Sequence, residues 1–160
     1  MDQLWAPWRM DYIRLEKEDT GCIFCNNSNS PEIEDLVVHK GEYSFVIMNL
    51  YPYNNGHVMV APYEHCGEFE SLEENTQLEM MRLTSRTMEI IRKNMKAEGF
   101  NFGANFGDVA GAGIKDHLHF HIVPRWKGDT NFMPVTSYTK VQVDALKETC
   151  ELLANEFRKY

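Results

Sequence analysis

The sequence predicts an α+β domain, an antiparallel β-sheet carrying two main helices. Three features carry this expectation: strand-like runs rich in β-branched residues between residues 36 and 61, one long stretch of helical periodicity after Ser71, and a second strand pair followed by an amphipathic C-terminal stretch. Strands, helix, strands, helix in that order put an antiparallel sheet on one side and helices on the other.

Residues 36–40 and 44–48 read as strands separated at Gly41, and residues 57–61 as a third. His39 is assigned as an exposed strand residue. Ser71 with Glu74 makes a capping box. Leu78, Met81, Met88, Ile91 and Met95 then follow at helical spacing until Gly99 closes the helix, and this methionine-rich stripe is read as core. Residues 101–106 and 117–123 give two further strands joined by a glycine-rich turn over 107–113. Val143, Leu146, Cys150, Leu153 and Phe157 form one face of a second amphipathic helix.

At 160 residues and 43% hydrophobic, the chain is long enough for one well-buried domain and short for two. No repeat, linker or low-complexity tract divides it. Residues 1–20, with Trp5, Trp8 and Tyr12, form an aromatic-rich N-terminal extension, and residues 21–160 the single domain. No apolar run approaches the ~20 residues a membrane helix needs, and no signal pattern opens the chain, so a cytoplasmic location away from membranes is expected. A formal charge of −8 argues against a broad nucleic-acid surface, which depends on clustered Lys and Arg; a small anionic ligand needs only local donors.

The chemistry concentrates in Asp116-His117-Leu118-His119-Phe120-His121-Ile122-Val123-Pro124. In a strand, side chains alternate between faces, so His117, His119 and His121 share one face and Leu118, Phe120 and Ile122 the other. The apolar face anchors in a core. The other presents imidazoles roughly 7 Å apart, from the ~3.3 Å rise per residue. Imidazole titrates near neutrality, attacks electrophiles and ligates metals, so such a row is costly to explain as packing. Four cysteines do not make a disulfide framework in a chain of this kind. Cys22-Ile23-Phe24-Cys25 has metal-ligand spacing. A redox pair or two core cysteines are the alternatives, the former disfavoured because no helix is predicted to follow. Cys66 and Cys150 read as small apolar residues, with Cys66 a substitute ligand.

The triad block resembles the signature of the histidine triad family of nucleotide hydrolases and transferases, and the similarity extends beyond one strand. Asn49-Leu50-Tyr51-Pro52-Tyr53-Asn54-Asn55-Gly56-His57-Val58-Met59-Val60-Ala61-Pro62-Tyr63-Glu64-His65 is similar to the family's Asn...Pro...Gly-His...Pro-x-x-His segment, and Asn101-Phe102-Gly103-Ala104-Asn105-Phe106-Gly107 to the strand and turn before the triad. Leu4-Trp5-Ala6-Pro7-Trp8-Arg9-Met10 and the stretch Val123-Pro124-Arg125-Trp126-Lys127-Gly128-Asp129-Thr130-Asn131-Phe132 resemble the bacterial branch containing diadenosine tetraphosphate phosphorylases.

The resemblance implies a homodimer and an enzyme working through a covalent nucleotidyl-histidine. His119 would be the nucleophile, His121 and His57 would lie near the α-phosphate and leaving oxygen, Asn105 would orient phosphate oxygens, and Asn49 would bind the ribose hydroxyls. Backbone amides of the turn carrying Gly107, Gly111 and Gly113 are candidates to face the phosphate chain. His65 stands where relatives with this cysteine pair supply a zinc ligand, and His117 would be the fourth, giving a closed structural zinc site with Cys22 and Cys25. One departure stands out: Gly113 and Ile114 occupy positions where many members carry Gln and then Ser or Thr. Three readings follow: AMP transfer from a dinucleoside polyphosphate to inorganic phosphate, hydrolysis of dinucleoside polyphosphates or nucleoside phosphoramidates, and non-catalytic nucleotide binding on a zinc-stabilised scaffold. The intact triad argues against the third, because a pure binder gains nothing from an unprotonated imidazole row.

Overall fold

The protein is described by a computed structural model for residues 21–28, 36–130 and 145–159. The aromatic extension 1–20 and Val143 lie outside the described residues. A short helix α1 (Ile23–Ser28) leads into β1 (Val37–Lys40), β2 (Ser44–Met48) and β3 (Val58–Pro62). The long helix α2 (Glu74–Met95) follows, then β4 (Gly99–Gly103), β5 (Phe120–Arg125) and the C-terminal helix α3 (Leu146–Phe157). All strand pairs are antiparallel, in the order β1-β2-β3-β5-β4. This is the expected α+β architecture.

The alternation in the triad block decides which side of the sheet does what. Leu118, Phe120 and Ile122 enter the main core with Val46, Met48, Val58 and Val60, against Met80, Leu83, Ile90 and Ile91 of α2 and Leu153 and Phe157 of α3. Burying such a side chain contributes on the order of 2 kcal/mol, and a one-residue slip would exchange three of them for three imidazoles, so the register is strongly fixed. The opposite face carries a smaller cluster of Val37, Phe45, Ile47, Met59 and Ala61, capped by Phe24 of α1.

Several element ends differ from expectation. The triad strand ladders only from Phe120, so His117 and His119 precede it, while β4 begins at Gly99 and ends at Gly103. Ser71 does not cap α2; it ends a 3-10 turn (Phe69–Ser71), and its hydroxyl donates to the Glu68 carboxylate. Helix α2 starts after Glu73 with no side-chain cap, and the Gln77 amide instead donates to the carbonyls of Phe69 and Leu72. It stops at Lys96 in the left-handed conformation, leaving Gly99 to open β4. The methionine stripe is core only in part: Leu78 and Met81 are each 46% exposed, and Thr76, Thr84 and Thr87 lie buried among Met80, Leu83, Ile90 and Ile91. An apolar-only periodicity skips threonine, which can be buried once its hydroxyl bonds back into the helix, as Thr87 does to the Leu83 carbonyl at 2.7 Å. His39 is half-buried rather than exposed, stacked on Phe157 at 4.5 Å between ring centres.

Candidate active site and metal centre

Hydrogen-bond partners fix the state of each triad imidazole. His119 is buried at 7% exposure, and its Nδ1 lies 2.9 Å from the His117 carbonyl, an obligate acceptor. The proton is therefore on Nδ1, and Nε2 keeps its lone pair. Burial holds its pKa below the ordinary histidine value, with the carbonyl contact opposing. The ring packs against a tilted Phe24 and meets His121 edge to face, each 4.8 Å away between ring centres.

His57 follows the turn that leads into β3 and is fully buried. The Tyr53 backbone N–H donates to its Nδ1 at 3.0 Å. A backbone amide only donates, so the His57 proton sits on Nε2, which donates to His121 Nδ1 at 2.9 Å. His121 must then carry its proton on Nε2. Asn49 joins this pair: its Oδ1 accepts from Tyr51 N–H at 2.9 Å, and its Nδ2 lies 3.3 Å from His57 Nδ1. The structure thus brings His57, His119 and His121 into one cluster, with Asn49 at its edge. His57 is fully buried and reaches His121 rather than solvent.

The glycine turn adopts the form its residues demand. Gly107 and Gly111 have φ of 75° and 85°, conformations that L side chains resist, and flank a 3-10 turn (Asp108–Ala110). The Asn105 amide donates to the Gly111 carbonyl at 3.2 Å and so braces this turn. Gly113 lies in the same segment, just ahead of the triad.

The second cluster is metal-like. The ligand atoms of Cys22, Cys25, His65 and His117 all lie within 4.8 Å of one another. Cys22 Sγ and His65 Nδ1 are each 3.3 Å from His117 Nδ1, Cys25 Sγ is 3.3 Å from His65 Nδ1, and Cys25 Sγ is 3.6 Å from His117 Nδ1. Bonds of about 2.0–2.3 Å from one tetrahedral ion imply ligand separations of about 3.3–3.8 Å, which these match. His117 Nε2–H donates to the Pro62 carbonyl at 2.9 Å, leaving Nδ1 bare toward the cluster, as outer-sphere partners of metal ligands do. Burial holds the His117 pKa down, keeping it neutral, and burial together with the Cys22 sulfur pushes the Cys25 thiol up, a crowding that a cation relieves.

Helix α1 does follow Cys22, contrary to the sequence expectation, so the objection to a redox pair drawn from a missing helix does not hold. The two converging histidines are what favour a metal. Cys66 is not part of the cluster, and its thiol faces the Glu68 carbonyl. Cys150 is a core residue with its thiol pushed up to about 11 by burial.

Residues without a sequence-assigned role complete the site. Phe24 packs on both His117 and His119, at 4.9 and 4.8 Å, so α1 links the Cys-His cluster to His119. Gly67 lets the His65 loop approach the triad: a Cβ there would lie 2.5 Å from the Lys115 carbonyl, and beside it Leu118 N–H donates to the Cys66 carbonyl at 2.7 Å. Asn54 and Asp129 stand within the family-like segments, but only the folded chain joins them.

A histidine row leading into β5, with a buried, tautomer-fixed imidazole at His119 on an antiparallel α+β sheet, defines a class, and the family comparison agrees: a model described as the HIT domain matches residues 30–128. The chain belongs to the HIT family. Within it, the chain is similar to an AP-4-A phosphorylase of Mycobacterium tuberculosis, 37% identical and covering 99% of this chain and 86% of that one. It is also similar to an adenosine 5'-monophosphoramidase of Saccharomyces cerevisiae, 28% identical over 67% of this chain and 64% of that one. Among solved structures, a Zn-bound histidine triad family protein from Mycobacterium smegmatis superposes with a TM-score of 0.68 at 23% identity, covering 87% and 94% of the two chains.

Proposed function

We propose that the protein transfers AMP from a dinucleoside polyphosphate, above all diadenosine tetraphosphate, through His119 to inorganic phosphate. The observation that carries this reading is the His119 tautomer: Nδ1–H is spent on the His117 carbonyl, so Nε2 offers a lone pair from a neutral, buried ring. Nε2 attacks the α-phosphorus, the bond from that phosphorus to the bridging oxygen breaks, and ATP leaves. An oxygen of inorganic phosphate then attacks the same phosphorus, the P–N bond breaks, and ADP is released with His119 regenerated. His121 Nε2–H is the donor placed to stabilise charge that develops on the phosphoryl oxygens, held by His57. Asn49 serves the ribose, and Asn105 with the amides around Gly107, Gly111 and Gly113 the phosphate chain. The near full-length similarity to an AP-4-A phosphorylase supports phosphate as acceptor.

Cys22, Cys25, His65 and His117 would hold a structural zinc ion, which supplies folding energy. Reduced thiolate ligands suit the cytoplasm. A homodimer through the outer edge of β4 belongs to the same reading, supported by the exposed Phe102, Leu78 and Met81. Among the described residues no helix is long and apolar enough to cross a membrane.

Incubation with diadenosine tetraphosphate, with and without inorganic phosphate, tests the acceptor. ADP and ATP formed only with phosphate support the proposal. AMP and ATP formed at the same rate without it make the protein a hydrolase, and no turnover ends the enzymatic reading.

A further inference from the structure

The Asp129 carboxylate lies beyond the triad strand, 9% exposed, and receives five donors. Arg125 Nε, Asn54 Nδ2 and Trp126 N–H reach Oδ2 at 2.6, 2.9 and 3.1 Å, and Arg125 Nη2 and the Thr130 hydroxyl reach Oδ1 at 3.0 and 3.3 Å. Its hold on Asn54 is the one that leaves the local loop, spanning 75 residues of sequence. Asn54 is itself 6% exposed, and its Nδ2 makes a second bond, to the Pro124 carbonyl at 2.9 Å. Both partners are acceptors, so both amide hydrogens are committed and the side chain has one orientation. The Asn54 backbone carbonyl in turn accepts from His57 N–H at 3.2 Å, and the residue before it, Tyr53, supplies the N–H that meets His57 Nδ1.

We propose that Asp129 and Asn54 are positioning residues for the reaction: the carboxylate pins the Asn54 amide, the pinned turn holds the Tyr53 N–H against His57 Nδ1, and His57 and His121 thereby keep their protons on Nε2. Without the clamp the Tyr53 amide drifts, the His57 Nδ1 proton is no longer forbidden, and His121 can turn a lone pair rather than a donor toward the phosphoryl group. The clamp joins the end of β5 to the turn before β3, the two segments that carry His121 and His57, so its geometry sets their 2.9 Å contact. It touches neither His119 nor the metal cluster. The activity arm rests on the phosphorylase reading above; the spectroscopic arm does not.

Long-range 1H–15N spectra of uniformly labelled full-length protein distinguish the two neutral tautomers of each histidine. In the wild type His57 and His121 should be Nε2-protonated and His119 Nδ1-protonated; an Nδ1-protonated His57 overturns the proposal at once. Asn54→Ala removes the link while leaving the Arg125–Asp129 ion pair in place, and Asp129→Ala removes the hub. Each should convert His121 to a mixture of tautomers, leave the His119 tautomer and the metal content unchanged, and lower kcat ten- to about a hundredfold with KM changed less than about threefold. Unaltered His57 and His121 spectra in Asn54→Ala, or altered stability with unaltered kcat, would show the clamp to be a fold element alone. If Asp129→Ala does not fold, Asn54→Ala and the wild-type spectrum still decide. A wild type that does not turn over diadenosine tetraphosphate would sink the functional reading, and the tautomer spectra would still judge this one.

Discussion

In the proposed reaction His119 attacks only while its Nε2 lone pair is free, and its surroundings favour that form. Burial opposes the imidazolium, so the folded pKa lies below the ordinary ~6.5. The neutral nucleophile therefore persists to lower pH than in an exposed histidine, and the acid limb of kcat/KM should have its midpoint below 6.5; a rate profile placing it above 6.5 would contradict the buried geometry. The same shift has a stability consequence. The unfolded chain takes up the proton that buried His119 refuses, so this residue's contribution to stability declines as pH falls through ~6.5 toward the folded pKa, measurable as a falling melting temperature. His119→Ala should lower kcat by about three orders of magnitude or more while nucleotide affinity, read by equilibrium titration, stays within a few fold, since the covalent step is lost but the other contacts remain. Retained activity within tenfold of wild type would remove the assignment.

At the scale of elements, the Cys-His corner and His119 are mechanically one unit. Helix α1 and the residue just before it bring Cys25 and Cys22 to His65 and His117, and the helix lays Phe24 on both His117 and His119. The purified protein should carry about one zinc ion per chain. Its removal by chelator should lower the melting temperature and, because Phe24 loosens, kcat as well. Metal analysis finding none after chelator-free purification would return His117 to the hydrogen-bond network alone. Gly67→Ala tests the same corner from the other side. A methyl group 2.5 Å from the Lys115 carbonyl forces backbone apart, at a cost of about 1–3 kcal/mol, and moves His65 from His117. The variant should lose metal to a competing chelator faster than wild type; unchanged metal retention would mean the loop relaxes elsewhere.

For the whole molecule, the sheet ends at β4, whose outer edge has no partner among the described residues. Phe102 on that strand is 44% exposed, and Leu78 and Met81 on α2 are 46% exposed. An open edge beside apolar surface is a template for pairing, and a second copy is the occupant proposed above. Phe102→Glu combined with Met81→Glu should convert a dimer to a monomer in light scattering behind size-exclusion chromatography. A wild type already monomeric at micromolar concentration would dismiss the pairing.

The sequence by itself determined the α+β class, the strand order along the chain, the shared face of His117, His119 and His121, and the residues of both clusters. The first three rest on local periodicity, which the chain carries wherever it goes, and the cluster residues on that spacing together with the resemblance to the histidine triad family. It misjudged features that depend on what lies across the fold. Ser71 reads as a cap until Glu68 takes its hydroxyl, Leu78 and Met81 read as core until buried threonines rotate the helix, and His39 reads as exposed until Phe157 covers it. The tautomers were likewise beyond it: whether an imidazole is nucleophile, donor or ligand is set by the one carbonyl or amide that meets its other nitrogen. For His119, His117 and His57 those groups are the His117 carbonyl, the Pro62 carbonyl and the Tyr53 amide. A backbone group has the same chemistry at every residue, so no residue type announces it, and only the packed chain decides which imidazole it faces.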